Sequence, residues 1–147
     1  MTRREICSML PGLLPAAIGI RAFAQDNTLP SATLSLAEAP MHVANNNAQI
    51  RLMMRGKLAT GEGLEVHETT LPPGGTPTAT THHHAHSEMW LVREGTIELT
   101  VRGKSYRLEP GSVGFVRSNE EHGIRNVGVI AATYFVVAVG PGAELQE

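Results

Sequence analysis

From residue 49 to residue 139 apolar and polar side chains alternate in short runs, and turn residues break the runs at near-regular intervals. This period of two predicts strands rather than helices. The predicted strands cover 49–59, 64–71, 78–84, 88–93, 96–102, 105–108, 113–117, 122–126 and 130–139. Pro72-Pro73-Gly74-Gly75 interrupts the second and third, because such a cluster has no place in a central strand. Glu94-Gly95 and Pro110-Gly111 mark further turns. No stretch keeps an apolar period of 3.6 residues, and no internal repeat is visible. Residues 25–47 read as a lead-in with at most one strand, near 33–36. The pattern predicts an all-β, single-domain sandwich or barrel of antiparallel strands over 48–140, with 141–147 as a tail.

The first 24 residues belong to a different kind of segment. Arg3 and Arg4 are followed by a stretch without charges from Ile6 to Ile20, then by Ala22-Phe23-Ala24. This order matches a bacterial export signal of the twin-arginine type, cut between Ala24 and Gln25, with the Sec route as the alternative. The expected location is therefore periplasmic or secreted. Pro11, Pro15 and the short length argue against a spanning helix, so no stable membrane span is expected after cleavage. Cleavage removes three of the 12 basic residues, one of the 14 acidic residues and Cys7, the only cysteine. The remaining chain carries a formal charge of −4. That balance speaks against nucleic acid as a partner. Without cysteine there is no disulfide, thiolate ligand or thiol nucleophile, so any chemistry falls to histidines, carboxylates and hydroxyls.

Four of the seven histidines stand within five residues, in Thr81-His82-His83-His84-Ala85-His86-Ser87-Glu88. In an extended chain His82 and His84 share a face, and His83 points the other way. Glu88 opens the apolar run Met89-Trp90-Leu91-Val92, where a carboxylate near a core needs a partner. A metal ion is one such partner. The other reading is a solvated histidine tract that collects metals without a defined site.

The surrounding pattern resembles the cupin superfamily. Its first motif matches Gly75, His82, His84, Glu88 and Gly95, with one extra residue after Gly75. Its second matches Gly111, His122 and Asn126. Arg117 and Asn119 stand where that motif usually has proline and glycine; Asn119 is suited to the left-handed turn conformation that glycine would supply. The resemblance spans roughly 48–140. It implies a jelly-roll barrel with His82, His84, Glu88 and His122 converging on one divalent transition metal. Three imidazoles and a carboxylate suit Mn, Fe, Co, Ni, Cu or Zn better than Mg or Ca. It also makes a homodimer the expected assembly.

Other residues carry two readings each. Arg117 is either a turn residue paired with Glu120 or Glu121, or a pocket group for a substrate carboxylate. His67 is a base behind the ligands or an ordinary surface or core histidine. Tyr134 is an acid–base or anchoring group, or a structural tyrosine. His86 is expected in an exposed turn, with a ligand or gate as the alternative, and His83 outside. For function, the resemblance favours a metal-dependent enzyme, an oxygenase, isomerase or lyase acting on a small oxygenated molecule. The alternatives are a non-catalytic small-ligand-binding protein and a barrel in which metal serves structure only.

Overall fold

The computed structural model describes residues 28–44 and 46–145. The export signal and the Ala24–Gln25 junction lie outside the described residues. Nine strands account for nearly all the regular structure: β1 (Met41–Val43), β2 (Gln49–Lys57), β3 (Gly63–Leu71), β4 (Ser87–Glu94), β5 (Ile97–Val101), β6 (Lys104–Leu108), β7 (Val113–Val116), β8 (His122–Asn126) and β9 (Ala132–Gly140). Among the described residues the only helical element is a 3-10 turn at Ala143–Leu145.

The strands form a six-stranded sheet, β1-β2-β3-β9-β4-β7, and a three-stranded sheet, β6-β5-β8. Every ladder between named strands is antiparallel. The last strand, β9, inserts between β3 and β4, so the chain's end joins its two halves in one sheet. The result is a jelly-roll barrel, as expected.

Alternation along each strand decides what faces inward. On β4 the buried positions are Glu88, Trp90 and Val92; on β9 they include Tyr134, Val136 and Ala138. Ile97 and Leu99 on β5, with Ile124 on β8, close the core from the smaller sheet. Because Glu88 keeps the parity of Trp90 and Val92, the pleat turns its carboxylate inside.

Two sequence expectations fail. Residues 78–84 form no strand: the segment is a loop tied to β8 by one isolated bridge, His82 to His122. Four threonines (Thr76, Thr78, Thr80 and Thr81) and Pro77 precede the histidines without the apolar alternation that would fix a register. In the lead-in, 33–36 is irregular and the short strand lies later, at β1, against the start of β2.

Turn geometry explains two glycines. Arg102 and Gly103, with φ of 50° and 74°, make the two-residue connection between β5 and β6 that suits a twisted hairpin. Gly95 has φ 72°, and a Cβ there would sit 2.6 Å from both the Ala131 carbonyl oxygen and Ala132 Cα. A Cβ at Gly103 meets nothing within 4 Å. Gly95→Ala should therefore cost roughly 2 kcal/mol or more in a urea unfolding titration, against about 1 kcal/mol for Gly103→Ala, which bears only the backbone strain.

Candidate metal centre

Four side chains from three parts of the chain converge inside the barrel. The 72–86 loop brings His82 and His84, β4 brings Glu88, and β8 brings His122. One potential ligand atom from each lies within 4.8 Å of the other three. The loop is held in place by reciprocal backbone bonds. His82 N–H donates to the His122 carbonyl at 2.9 Å, and His122 N–H to the His82 carbonyl at 2.8 Å. On its far side Asn119 N–H donates to the His84 carbonyl at 2.7 Å, and Ser118 Oγ to the Ala85 carbonyl at 2.6 Å. Asn119 has φ 62°, so it does fill the left-handed turn position.

The ring nitrogens are sorted by their outer partners. His122 Nδ1 lies 2.9 Å from the Glu120 carbonyl oxygen, which fixes it as the N–H donor and leaves Nε2 for the centre. His82 Nδ1 lies 3.2 Å from Thr78 Oγ1 and 3.4 Å from the Thr80 carbonyl oxygen, with the same consequence. The His82 ring is 4.7 Å from both the His84 and His122 rings, centroid to centroid. Trp90 packs edge-on against His122 at 5.4 Å.

Glu88 Oε2 and His122 Nε2 approach to 2.7 Å, yet both are buried without an aligned hydrogen bond. This buried pair leaves both atoms short of a well-aligned hydrogen bond, and a third group bonded to both would supply the missing partner. A cation does so. Metal–ligand bonds of about 2.0–2.2 Å put two donors of one ion at most about 4.3 Å apart. The cluster meets that limit after shifts of a few tenths of an ångström. The four residues thus fit one transition-metal ion.

Electrostatics favours the ligating forms unevenly. Burial pushes the Glu88 carboxyl up, but the His122, His84 and His86 imidazoles hold it below the usual carboxylate range, so it is charged. Burial pushes His84 down; Glu88 offsets this in part, and the other three imidazoles reinforce it. Burial also works against charge on His122, but the adjacent Glu88 carboxylate and Glu120 carbonyl prevail and raise it. His122, with its raised proton affinity, is an imidazole at which protons compete with a metal.

The cluster opens on a cavity of about 530 Å³ whose apolar wall includes Ile50, Trp90, Ile124 and Val136. His67 and Tyr134 also line it. Tyr134 is 1% exposed and hydrogen-bonded to Thr69, and burial holds its phenol far above the usual range, so it remains protonated. Arg117 is not in the cavity lining. It pairs with Glu120 at 2.9 Å and is exposed, which agrees with the turn-residue reading. His83 is exposed. His86 is not: it is 6% exposed, its ring stacks on His84 at 4.5 Å, and its Nε2 lies 3.9 Å from Glu88 Oε1. The extended parity shared with His84 was a better guide than the turn assignment. Sequence reasoning also missed Glu65 and Arg55 beside His67; the Glu-Val-His spacing, which puts both groups on one strand face, was the available signal.

Comparison with known proteins agrees with the fold. Residues 67–138 match the model of the Cupin domain family. A predicted oxalate decarboxylase from Thermotoga maritima superposes with a TM-score of 0.63 at 18% identity, over 74% of this chain and 99% of that one. An RmlC-like cupin from Shewanella frigidimarina gives 0.63 at 17%, over 79% and 97%. The family match over 67–138 and the two superpositions agree with a cupin-type barrel fold. In sequence, 84 residues are 35% identical to a mannose-1-phosphate guanylyltransferase of Escherichia coli, covering 57% of this chain and 17% of that protein. A 66-residue stretch is 42% identical to an L-ectoine synthase of Bordetella bronchiseptica, covering 42% and 47%. The chain therefore spans less than half the length of these relatives.

His122→Ala should lower zinc affinity by more than about tenfold, because the ion loses a donor held by its own outer partner. His83→Ala should leave it unchanged. Zinc content after dialysis, with His84→Ala as the second ligand variant, checks this; a loss in His83→Ala matching that in His84→Ala would instead indicate an undifferentiated tract.

Proposed function

We propose that this protein binds one divalent transition metal through His82, His84, Glu88 and His122, and uses it to act on a small oxygenated organic molecule. The observation that carries the reading is that all four donors line one cavity, so the centre faces a space for a ligand and is not sealed by protein. An ion that takes six ligands, held by these four donors, would keep two positions for water or ligand, the arrangement of a working site more than of a structural one. When bound, the metal supplies Lewis-acid polarisation of a ligand oxygen. The chain's own residues do the rest. Ile50, Trp90, Ile124 and Val136 exclude water around the ligand, and the Tyr134 hydroxyl is held neutral beside Thr69. Among the described residues no lysine or arginine lines the cavity, which disfavours a multiply charged phosphate ligand. An oxygenase, isomerase or lyase is the class this supports.

The mature chain starting at Gln25 belongs to the same proposal, as an exported protein; its support is the twin arginine and the Ala22-Phe23-Ala24 site. A homodimer is the assembly we favour. Its support is the apolar outer face of the six-stranded sheet, where Val113 and Phe115 are 56% and 60% exposed beside Leu91. Sedimentation should give twice the chain mass, and Phe115→Glu should return it to one.

Metal-free and zinc-, manganese- or iron-loaded protein, incubated with panels of small hydroxy and keto acids and followed by proton NMR, tests the function. Metal-dependent conversion is the expected result. Saturable binding of a panel member without conversion would favour the non-catalytic reading. Affinity for the metal should fall as pH is lowered toward the ordinary histidine value of about 6.5, beginning above it. The sign follows from His122: its raised proton affinity lets protons compete early, whereas His84, pushed down, resists them. Zinc titrations across pH 5 to 8 measure the slope.

A further inference from the structure

His67, on β3, reaches the same cavity from a different strand than any of the four candidate ligands. In the ladders it stands opposite Val136 of β9, and Val136 stands opposite Trp90 of β4. Two strand spacings of about 4.8 Å therefore separate its backbone from the strand that carries Glu88. It is not among the histidine rings that contact the cluster.

Its surroundings give the imidazole a direction. Nδ1 lies 2.9 Å from Glu65 Oε1. Glu65 has the same strand parity, is 3% exposed, and its Oε2 accepts from Arg55 Nε at 2.6 Å. Arg55 is its cross-strand partner on β2. Burial pushes the Glu65 carboxyl up, but His67 and Arg55 outweigh burial and hold it below the usual range. An ionised carboxylate accepts only, so Nδ1 must carry the proton toward it. The neutral ring then has its lone pair on Nε2, the edge left for the cavity. The other titratable groups facing that space are His82, His84, His122, Glu88 and Tyr134. Four of these are committed to the cluster and the fifth to Thr69.

We propose that His67 is the proton-accepting group of the cavity, oriented by Glu65 and Arg55, and that it takes a hydroxyl proton from a ligand whose other end is held at the metal centre. The ligand O–H donates to His67 Nε2, and the proton passes along that bond to Nε2 only as the O–H electron pair is taken up in a new bond within the ligand. Glu65 stabilises the resulting imidazolium through Nδ1–H. The ligand class is a short oxygenated molecule with a metal-binding oxygen at one end and a hydroxyl several atoms away. This inference rests on the metal-binding reading above, and its test separates the two.

In metal-free wild-type protein, nitrogen-15 NMR of labelled histidine should show His67 as the Nδ1–H tautomer, and Glu65→Gln should reduce that population. In zinc-loaded protein, two probes of equal length, butyrate and 4-hydroxybutyrate, report on Nε2. Wild type should bind the hydroxy acid some threefold to tenfold more tightly, as one added hydrogen bond allows. His67→Leu should erase that preference while keeping both butyrate affinity and zinc content. An Nε2–H tautomer in wild type overturns the proposal, as does equal affinity for the two probes at full zinc occupancy. Failure of wild type to hold zinc would instead overturn the metal reading, and the tautomer measured without metal still decides the orientation of His67.

Discussion

The reciprocal backbone pair between His82 and His122 sets the position of half the site in one step. The 72–86 loop has no ladder of its own, and without an anchor it would be free to hold His82 and His84 anywhere over the barrel mouth. Two N–H to C=O bonds of 2.9 and 2.8 Å register its histidine end against β8 through a single residue pair, while Gly74 and Gly75 pair with Asn126 of β8 near the loop's start. His82 and His122 become directly opposed, and their side chains share a face. The turn at Ser118 and Asn119 then closes on the loop from its other end through the His84 and Ala85 carbonyls. Glu88 needs no such device, since the pleat of β4 already turns it inward.

A second constraint is the cost of placing carboxylates in a small barrel. Glu65, Glu68 and Glu88 are each 6% exposed or less. Each is beside a cation or an imidazole: Arg55 and His67 at Glu65, Arg93 at 2.7 Å from Glu68, His122 at Glu88. A buried carboxylate without a partner would cost several kcal/mol or become protonated. Glu68 faces outward and is covered by its arginine, so it strengthens the sheet. Glu65 and Glu88 face inward, each bonded to or beside an imidazole that lines the cavity. Electrostatic necessity and chemical capacity coincide at those two residues.

Much of this was legible in the sequence. Alternation located the strands from β2 to β9 to within a few residues, because one face of each is buried and a slip of one would invert it. Pro72-Pro73-Gly74-Gly75 and Gly95 were readable as breaks for the same conformational reasons that the structure displays. The histidine and glutamate spacing, through its resemblance to the cupins, picked out the four residues that converge. The stretch 78–84 was misread because an extended loop and a strand share local geometry; what separates them is the number of ladder partners, which is a tertiary fact. His86 was misplaced because burial against His84 is decided by how the loop folds back on β4. The Glu65–His67–Arg55 array depends on β2 and β3 pairing in register across a bulge, and a single chain does not announce that register.

The central claim is that one defined centre forms from a loop, β4 and β8 together. X-ray absorption of the protein loaded with one equivalent of zinc tests it most directly, because imidazole rings scatter in a pattern that can be counted. The account predicts three imidazoles and one carboxylate oxygen around the ion. One imidazole or none, with the remaining positions filled by water, would contradict it.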